Sequence, residues 1–88
     1  MAKKSDDTWF VYLLRCADGT LYTGIARNVE RRCKQHNAGT ASRYTRCRRP
    51  VYLVHQEVHA SRSLALKREA AIKSLSRQQK EALIRRAG

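Results

Sequence analysis

The sequence predicts an α+β domain with the element order β-β-α-β-α-α, and three observations carry that prediction. Two runs rich in aromatic and branched residues flank an Asp-Gly turn near the N-terminus. A capped helical stretch follows, and a third apolar run leads into two further helical patterns. A chain of 88 residues suffices for one hydrophobic core and is too short for two, so residues 9–88 are expected to form a single domain behind a loose tail, residues 1–8.

The first run reads Trp9-Phe10-Val11-Tyr12-Leu13-Leu14-Arg15-Cys16, turns at Ala17-Asp18-Gly19 and resumes as Thr20-Leu21-Tyr22-Thr23-Gly24-Ile25. With Gly19 in the left-handed position of a three-residue loop, Cys16 faces Thr20, Leu14 faces Tyr22 and Tyr12 faces Gly24. Both tyrosines then share one face, whereas a two-residue turn would shift the register by one and separate them. Gly24 favours the first register, because a missing side chain opposite Tyr12 is expected to leave a hollow open to a ligand.

Asn28 is a good N-cap for a helix from Val29 to about Ala38, which Gly39 can close. Along it Val29, Arg32, Cys33 and His36 follow the spacing that normally carries apolar residues toward a core. Either that stripe is rotated and Arg32 is ordinary surface, or Arg32 and His36 line a cleft that takes an anion. Residues 40–50, TASRYTRCRRP, lack periodicity and read as a loop that Pro50 ends before a strand from Val51 to Val58. Its Arg43, Arg46, Arg48 and Arg49 around Tyr44 suit phosphate contact with base stacking; a solvated charged loop is the plainer alternative.

The pattern from about Arg62 to Leu75 is helical, with Leu64, Ala65, Ile72 and Leu75 as core candidates. Ser76-Arg77-Gln78-Gln79 then reads as a capping box that starts a last helix reaching Arg86. Glu69 lies between Ala65 and Ile72 at the apolar boundary of its helix, and a surface pair with Lys73 at i+4 is the competing use for it.

Lys and Arg number 19 against 7 Asp and Glu, a net charge of +12, which makes nucleic acid the expected partner and an anionic membrane surface a weaker one. No apolar run approaches the roughly twenty residues of a membrane span, and Met1 to Thr8 is polar, so a cytoplasmic location is expected. Cys16, Cys33 and Cys47 are odd in number and lack C-x-x-C spacing, which reads as reduced thiols; a zinc site adding His36 would have no recognised spacing.

Taken in order, Tyr12, Tyr22-Thr23-Gly24, Arg32, His36 and Glu69 form a pattern that resembles the GIY-YIG nuclease domain family. The first family motif stands here as Phe10-Val11-Tyr12 and the second as Tyr22-Thr23-Gly24. The resemblance runs from Trp9 to the end and is strongest to the small stand-alone bacterial members, which carry segments like Arg43-Tyr44-Thr45-Arg46 and Arg48-Arg49-Pro50.

The resemblance implies a three-stranded, mainly antiparallel sheet flanked by three helices. It implies a divalent-metal-dependent nuclease acting on DNA more than RNA, structure-guided or weakly specific, and of the endonuclease class. Glu69 would be the one protein ligand of Mg²⁺ or Mn²⁺, Tyr22 would activate or position water, Tyr12 would hold that machinery by hydrogen bonding, and Arg32 would brace the phosphate. His36 would hydrogen-bond a tyrosine or share proton transfer. Arg27, Arg31, Arg43, Tyr44, Arg46, Arg48 and Arg49 would contact the nucleic acid. A hard carboxylate oxygen suits Mg²⁺, and a guanidinium stays charged while stabilising growing phosphate charge. Ile25 stands where many members carry Lys, and no Asn follows Glu69. The competing readings are a nucleic-acid-binding module without turnover and a protein-interaction domain with a basic face.

Overall fold

The structure, a computed structural model, describes residues 7–87; residues 1–6 of the expected tail lie outside the described residues. Seven elements follow in order: β1 (Trp9–Arg15), β2 (Leu21–Ala26), α1 (Val29–Ala38), α2 (Arg43–Arg46), β3 (Tyr52–His59), α3 (Arg62–Lys73) and α4 (Arg77–Ala87). The sheet order is β2-β1-β3 with both pairings antiparallel, so β1 is central and β2 and β3 are edges.

The hairpin turns in the three-residue register. Gly19 sits at φ +87°, the Cys16 N–H donates to the Thr20 carbonyl at 2.8 Å, and Tyr12 and Leu14 lie opposite Gly24 and Tyr22. Positive φ costs a glycine nothing, which is why the turn can close here. Strand alternation then divides the core. Tyr12, Leu14 and Cys16 face Ala26, Val29 and Val51 under α1, while Val11 and Leu13 face Ala65 and Ile72 of α3, with Leu83 and Ile84 of α4 packed alongside. Burying each of these larger side chains stabilises the fold by roughly 1.5–3 kcal/mol.

The caps explain where the helices begin. Asn28 accepts from the Arg31 N–H at 3.0 Å, and Gly39 at φ +82° ends α1. Ser76 Oγ accepts from the Gln79 N–H at 3.1 Å while Gln79 Oε1 accepts from the Ser76 N–H at 2.9 Å, the reciprocal capping box ahead of α4.

Three expectations need correction. Residues 40–50 are not all loop: Ser42 caps a one-turn helix by accepting from the Tyr44 and Thr45 N–H groups. Such a turn is set by its cap and is too short to show periodicity. Leu64 is 47% exposed, because Ala65 and Ile72 take the inward face of α3; Leu75 reaches the core from just beyond the helix end. No hollow opens above Gly24, because the Tyr12 ring lies across it.

Candidate active site

Three rings from three elements meet on the α1 face of the sheet. The centroids of Tyr12 and Tyr22 are 6.5 Å apart, Tyr12 and His36 5.9 Å, and Tyr22 and His36 5.0 Å. Strand alternation brings the two phenols to one face, and the buried position of His36 on α1 carries the imidazole beneath them. The inward stripe of α1 is therefore not rotated: Val29 and His36 are buried, and Arg32 and Cys33 are half-buried.

His36 is held at both nitrogens. Its Nε2 lies 2.9 Å from the Tyr12 hydroxyl and its Nδ1 2.7 Å from Thr45 Oγ1. Thr45 Oγ1 also lies 3.4 Å from the Ser42 carbonyl, which can only accept. A chain running Tyr12 to His36 to Thr45 to Ser42 uses every donor, so His36 carries its proton on Nδ1 and accepts from Tyr12 on Nε2.

The electrostatics favour the same neutral network. Burial, followed by the adjacent Tyr22, pushes the Tyr12 phenol well above its ordinary value, with Arg32 partly opposing and Glu69 adding to the rise. Burial, then the Arg32 guanidinium, holds His36 below its ordinary 6.5. Arg32 thus acts on both groups, and Glu69, from the helix on the other face, is near enough for its charge to reach Tyr12. The two tyrosines and His36 are in direct ring contact, Arg32 acts electrostatically on Tyr12 and His36, and the charge of Glu69 is the weakest of the influences on Tyr12.

Glu69 also makes its i+4 pair, with Lys73 Nζ 3.4 Å from Oε2. The pair and the influence on Tyr12 are compatible, since the Lys73 side chain is 57% exposed and the Glu69 side chain only 17%. The donor chemistry fits a magnesium ion held by one carboxylate. Asp18, Glu57 and Glu81 are each engaged by arginine, whereas the partner of Glu69 among the described residues is that exposed ammonium. Among the described residues, no three His, Cys, Asp or Glu side chains group as a metal cage.

The basic residues divide. Arg27, Arg31, Arg43 and Arg46 are exposed. Arg48 donates to Asp18 Oδ2 at 3.0 Å and to the Tyr44 carbonyl at 2.8 Å, with its guanidinium 3.9 Å from the Tyr44 ring centroid. Arg49 donates to the Arg46 and Asn37 carbonyls at 2.9 and 3.3 Å. Tyr44 stacks on Tyr22 with centroids 6.1 Å apart, so its ring already carries a phenol and a guanidinium. Sequence reasoning missed Thr45, which is fully buried; the signal was its place three residues after a capping serine.

A concavity of about 720 Å³ between α1 and β3, with Phe10, Val29, Cys33 and Leu53 in its wall, contains none of Tyr12, Tyr22, Arg32, His36 and Glu69. Cys16, Cys33 and Cys47 are free thiols.

Comparison with known proteins gives one family. The GIY-YIG catalytic domain matches residues 8–82. A UPF0213 protein of Staphylococcus aureus is 51% identical over 79 residues, covering 90% of this chain and 96% of that one. The solution NMR structure of a UPF0213 protein from Bacillus halodurans is similar at 42% identity and TM-score 0.57, over 88% of this chain and 82% of that one. A solution NMR structure from E. faecalis is similar at 40% identity and TM-score 0.58, over 94% and 88%.

Proposed function

Since the chain belongs to the GIY-YIG catalytic-domain family, we propose that it is a nuclease that hydrolyses phosphodiester bonds in nucleic acid, DNA in preference to RNA, with Mg²⁺ or Mn²⁺ as cofactor. The observation that carries the reading is the convergence of Tyr12, Tyr22 and His36 within contact of one another, with Arg32 acting on Tyr12 and His36.

In this reading Glu69 would hold the metal, which when bound would supply Lewis-acid polarisation of phosphate oxygen and make water a better nucleophile. Tyr12 keeps its proton, because burial disfavours the phenolate, and donates a hydrogen bond to His36 Nε2. It is a positioning residue. Neutral His36 passes that constraint on through Thr45 to the backbone of α2. Tyr22 lies against the His36 ring, is less buried than Tyr12, and is the phenol that meets the attacking water. Arg32 supplies donors to the phosphate and stays charged throughout. No base-reading motif stands out, so recognition is structure-guided or weakly specific, and by analogy with the family cleavage is internal to the strand.

A binding module without turnover is the second reading, favoured by Ile25, which packs against the α3 side of the core instead of offering a cation. One assay separates the two. Branched, nicked, single-stranded and RNA substrates are incubated with Mg²⁺ or Mn²⁺ beside Glu69→Gln and Tyr22→Phe and with excess chelator. Cleavage that disappears in both variants and on chelation, with binding retained, is the expected result. Residual cutting equal to wild type in either variant would remove the nuclease reading.

A further inference from the structure

A second cleft adjoins the proposed nuclease site and shares Arg32 with it. It has a volume of about 260 Å³ and is lined by Trp9, Arg27, Asn28, Arg31, Arg32 and Gln35. These residues come from the start of β1, the β2–α1 connection and the first turns of α1. Three guanidinium-bearing side chains surround the space, and among the described residues neither Arg31 nor Arg32 is ion-paired to a carboxylate.

Like charges gathered around a small concavity repel one another, and an anion entering it relieves that repulsion while gaining several charge-assisted hydrogen bonds. Trp9 lines the same space, with part of its side chain packed against the α3-side core. Trp9 is half-buried, with the Arg27 guanidinium 5.8 Å and the Arg62 guanidinium 5.6 Å from its ring centroid. A side chain of this kind offers an apolar surface to a sugar or base and an N–H to an acceptor. Cation, amide and aromatic groups in one cleft match a phosphate joined to a nucleoside.

We propose that this cleft holds a second phosphate of the nucleic acid, one that is not cleaved, with Trp9 against the attached nucleoside. The proposal rests on the nuclease reading above, and it adds the direction in which the strand lies. Arg32 belongs to both places, lining the cleft and acting on Tyr12 and His36. From Asn28 to His36 is roughly 12 Å of helix axis. Because Arg32 lines the cleft and also acts on Tyr12 and His36, the second phosphate is a near neighbour of the cleaved one, within that length of helix. The strand therefore runs along α1, and the cleft sets the register in which a bond reaches Tyr22. The phosphate is either internal to the strand or terminal at its end.

Trp9 is the one tryptophan of the chain, so its fluorescence reports on the cleft directly. The intact protein is titrated without divalent metal against inorganic phosphate and against two oligothymidylates that differ only in a 5′-terminal phosphate. Saturable change in Trp9 emission is expected with all three probes, with inorganic phosphate competing against the oligonucleotides. Arg31→Ala is expected to weaken each titration about tenfold, the low end for a charge-assisted hydrogen bond. Arg31 is exposed on a helix, so circular dichroism of this variant should match wild type. Tighter binding of the phosphorylated oligonucleotide assigns the cleft to a strand end, and equal binding assigns it to an internal phosphate. No saturable change, or an Arg31→Ala variant that titrates like wild type, overturns the proposal. Because the readout is metal-free binding, it stands or falls independently of whether the protein cleaves.

Discussion

The ring of Tyr12 lies across the backbone of Gly24: a Cβ added there would stand 2.6 Å from the phenolic oxygen and 2.7 Å from Cζ. The contact ties the second glycine motif to the buried hydrogen-bond network, since the same hydroxyl meets His36. Gly24→Ala is therefore expected to displace Tyr12 and to cost about 1–3 kcal/mol. Urea melts measure it, and a wild-type midpoint would contradict the steric account.

Tyr12 and Thr45 meet through His36, so their effects should not add. Tyr12→Phe and Thr45→Val each leave one buried nitrogen of His36 without its partner, a cost of about 1–3 kcal/mol apiece. In a double-mutant cycle the coupling between them is expected to be about 0.5 kcal/mol or more. Strict additivity would mean that the imidazole does not connect the two.

The lowered basicity of His36 has a signed consequence for stability. Below the ordinary value of 6.5 the unfolded chain takes up a proton that the folded protein resists, so stability is complete above 6.5 and declines as pH falls toward the depressed folded value. His36→Gln should flatten this part of the curve, as seen in thermal melts between pH 7.5 and about 5. An unchanged slope would place the proton uptake elsewhere.

Glu57 governs the more acidic range. Its carboxylate receives Arg68 Nε at 2.8 Å and Nη2 at 3.0 Å, with His55 Nε2 2.8 Å away, and is held down to about 2, first by the Arg68 hydrogen bond. Its contribution is present above the ordinary 4.5 and is lost as pH falls toward about 2. The Glu57 side chain is 20% exposed and that of Arg68 38%, so Arg68→Ala is expected to cost about 1–2 kcal/mol at neutral pH, between the surface and buried limits. A loss that does not shrink below pH 4 would assign the effect to packing.

Nucleic-acid affinity should fall steeply with salt, because each neutralised phosphate releases counterions. The geometry separates the arginines of the 40–50 segment. Arg43→Ala and Arg46→Ala, at exposed side chains, should each reduce the log–log salt slope by about one unit on duplex DNA. Arg48→Ala should act mainly on stability, since that guanidinium already serves Asp18 and Tyr44. Equal slope changes for all three would mean that these internal contacts open on binding.

Much of the fold was legible because local rules agree with one another. The Asp-Gly turn, the Asn28 and Gly39 caps and the Ser76/Gln79 box involve residues within a few positions, and each places its element correctly. The register followed from the turn, and with it the pairing of Tyr12 with Gly24. Where the reading failed, the deciding contact was distant or the element too short. Nothing near Gly24 tells whether the space above it is open, since the ring that fills it comes from the neighbouring strand. Leu64 and Leu75 have equal claims on a helical wheel until the position of the sheet selects one.

Charge, turn chemistry and the ordered Tyr, Tyr-x-Gly, Arg, His, Glu pattern are properties of the chain alone, and they determined the class of partner, the hairpin register and the family. Tertiary structure decided which of these side chains share a site. It set the Tyr12–His36–Thr45 chain, paired Arg48 with Asp18, and left Arg31 lining a cleft shared with Arg27 and Arg32. The physical reason is that hydrogen bonding, burial and charge depend on distances of a few ångströms between residues far apart in sequence, and only the packed sheet and helices fix those distances.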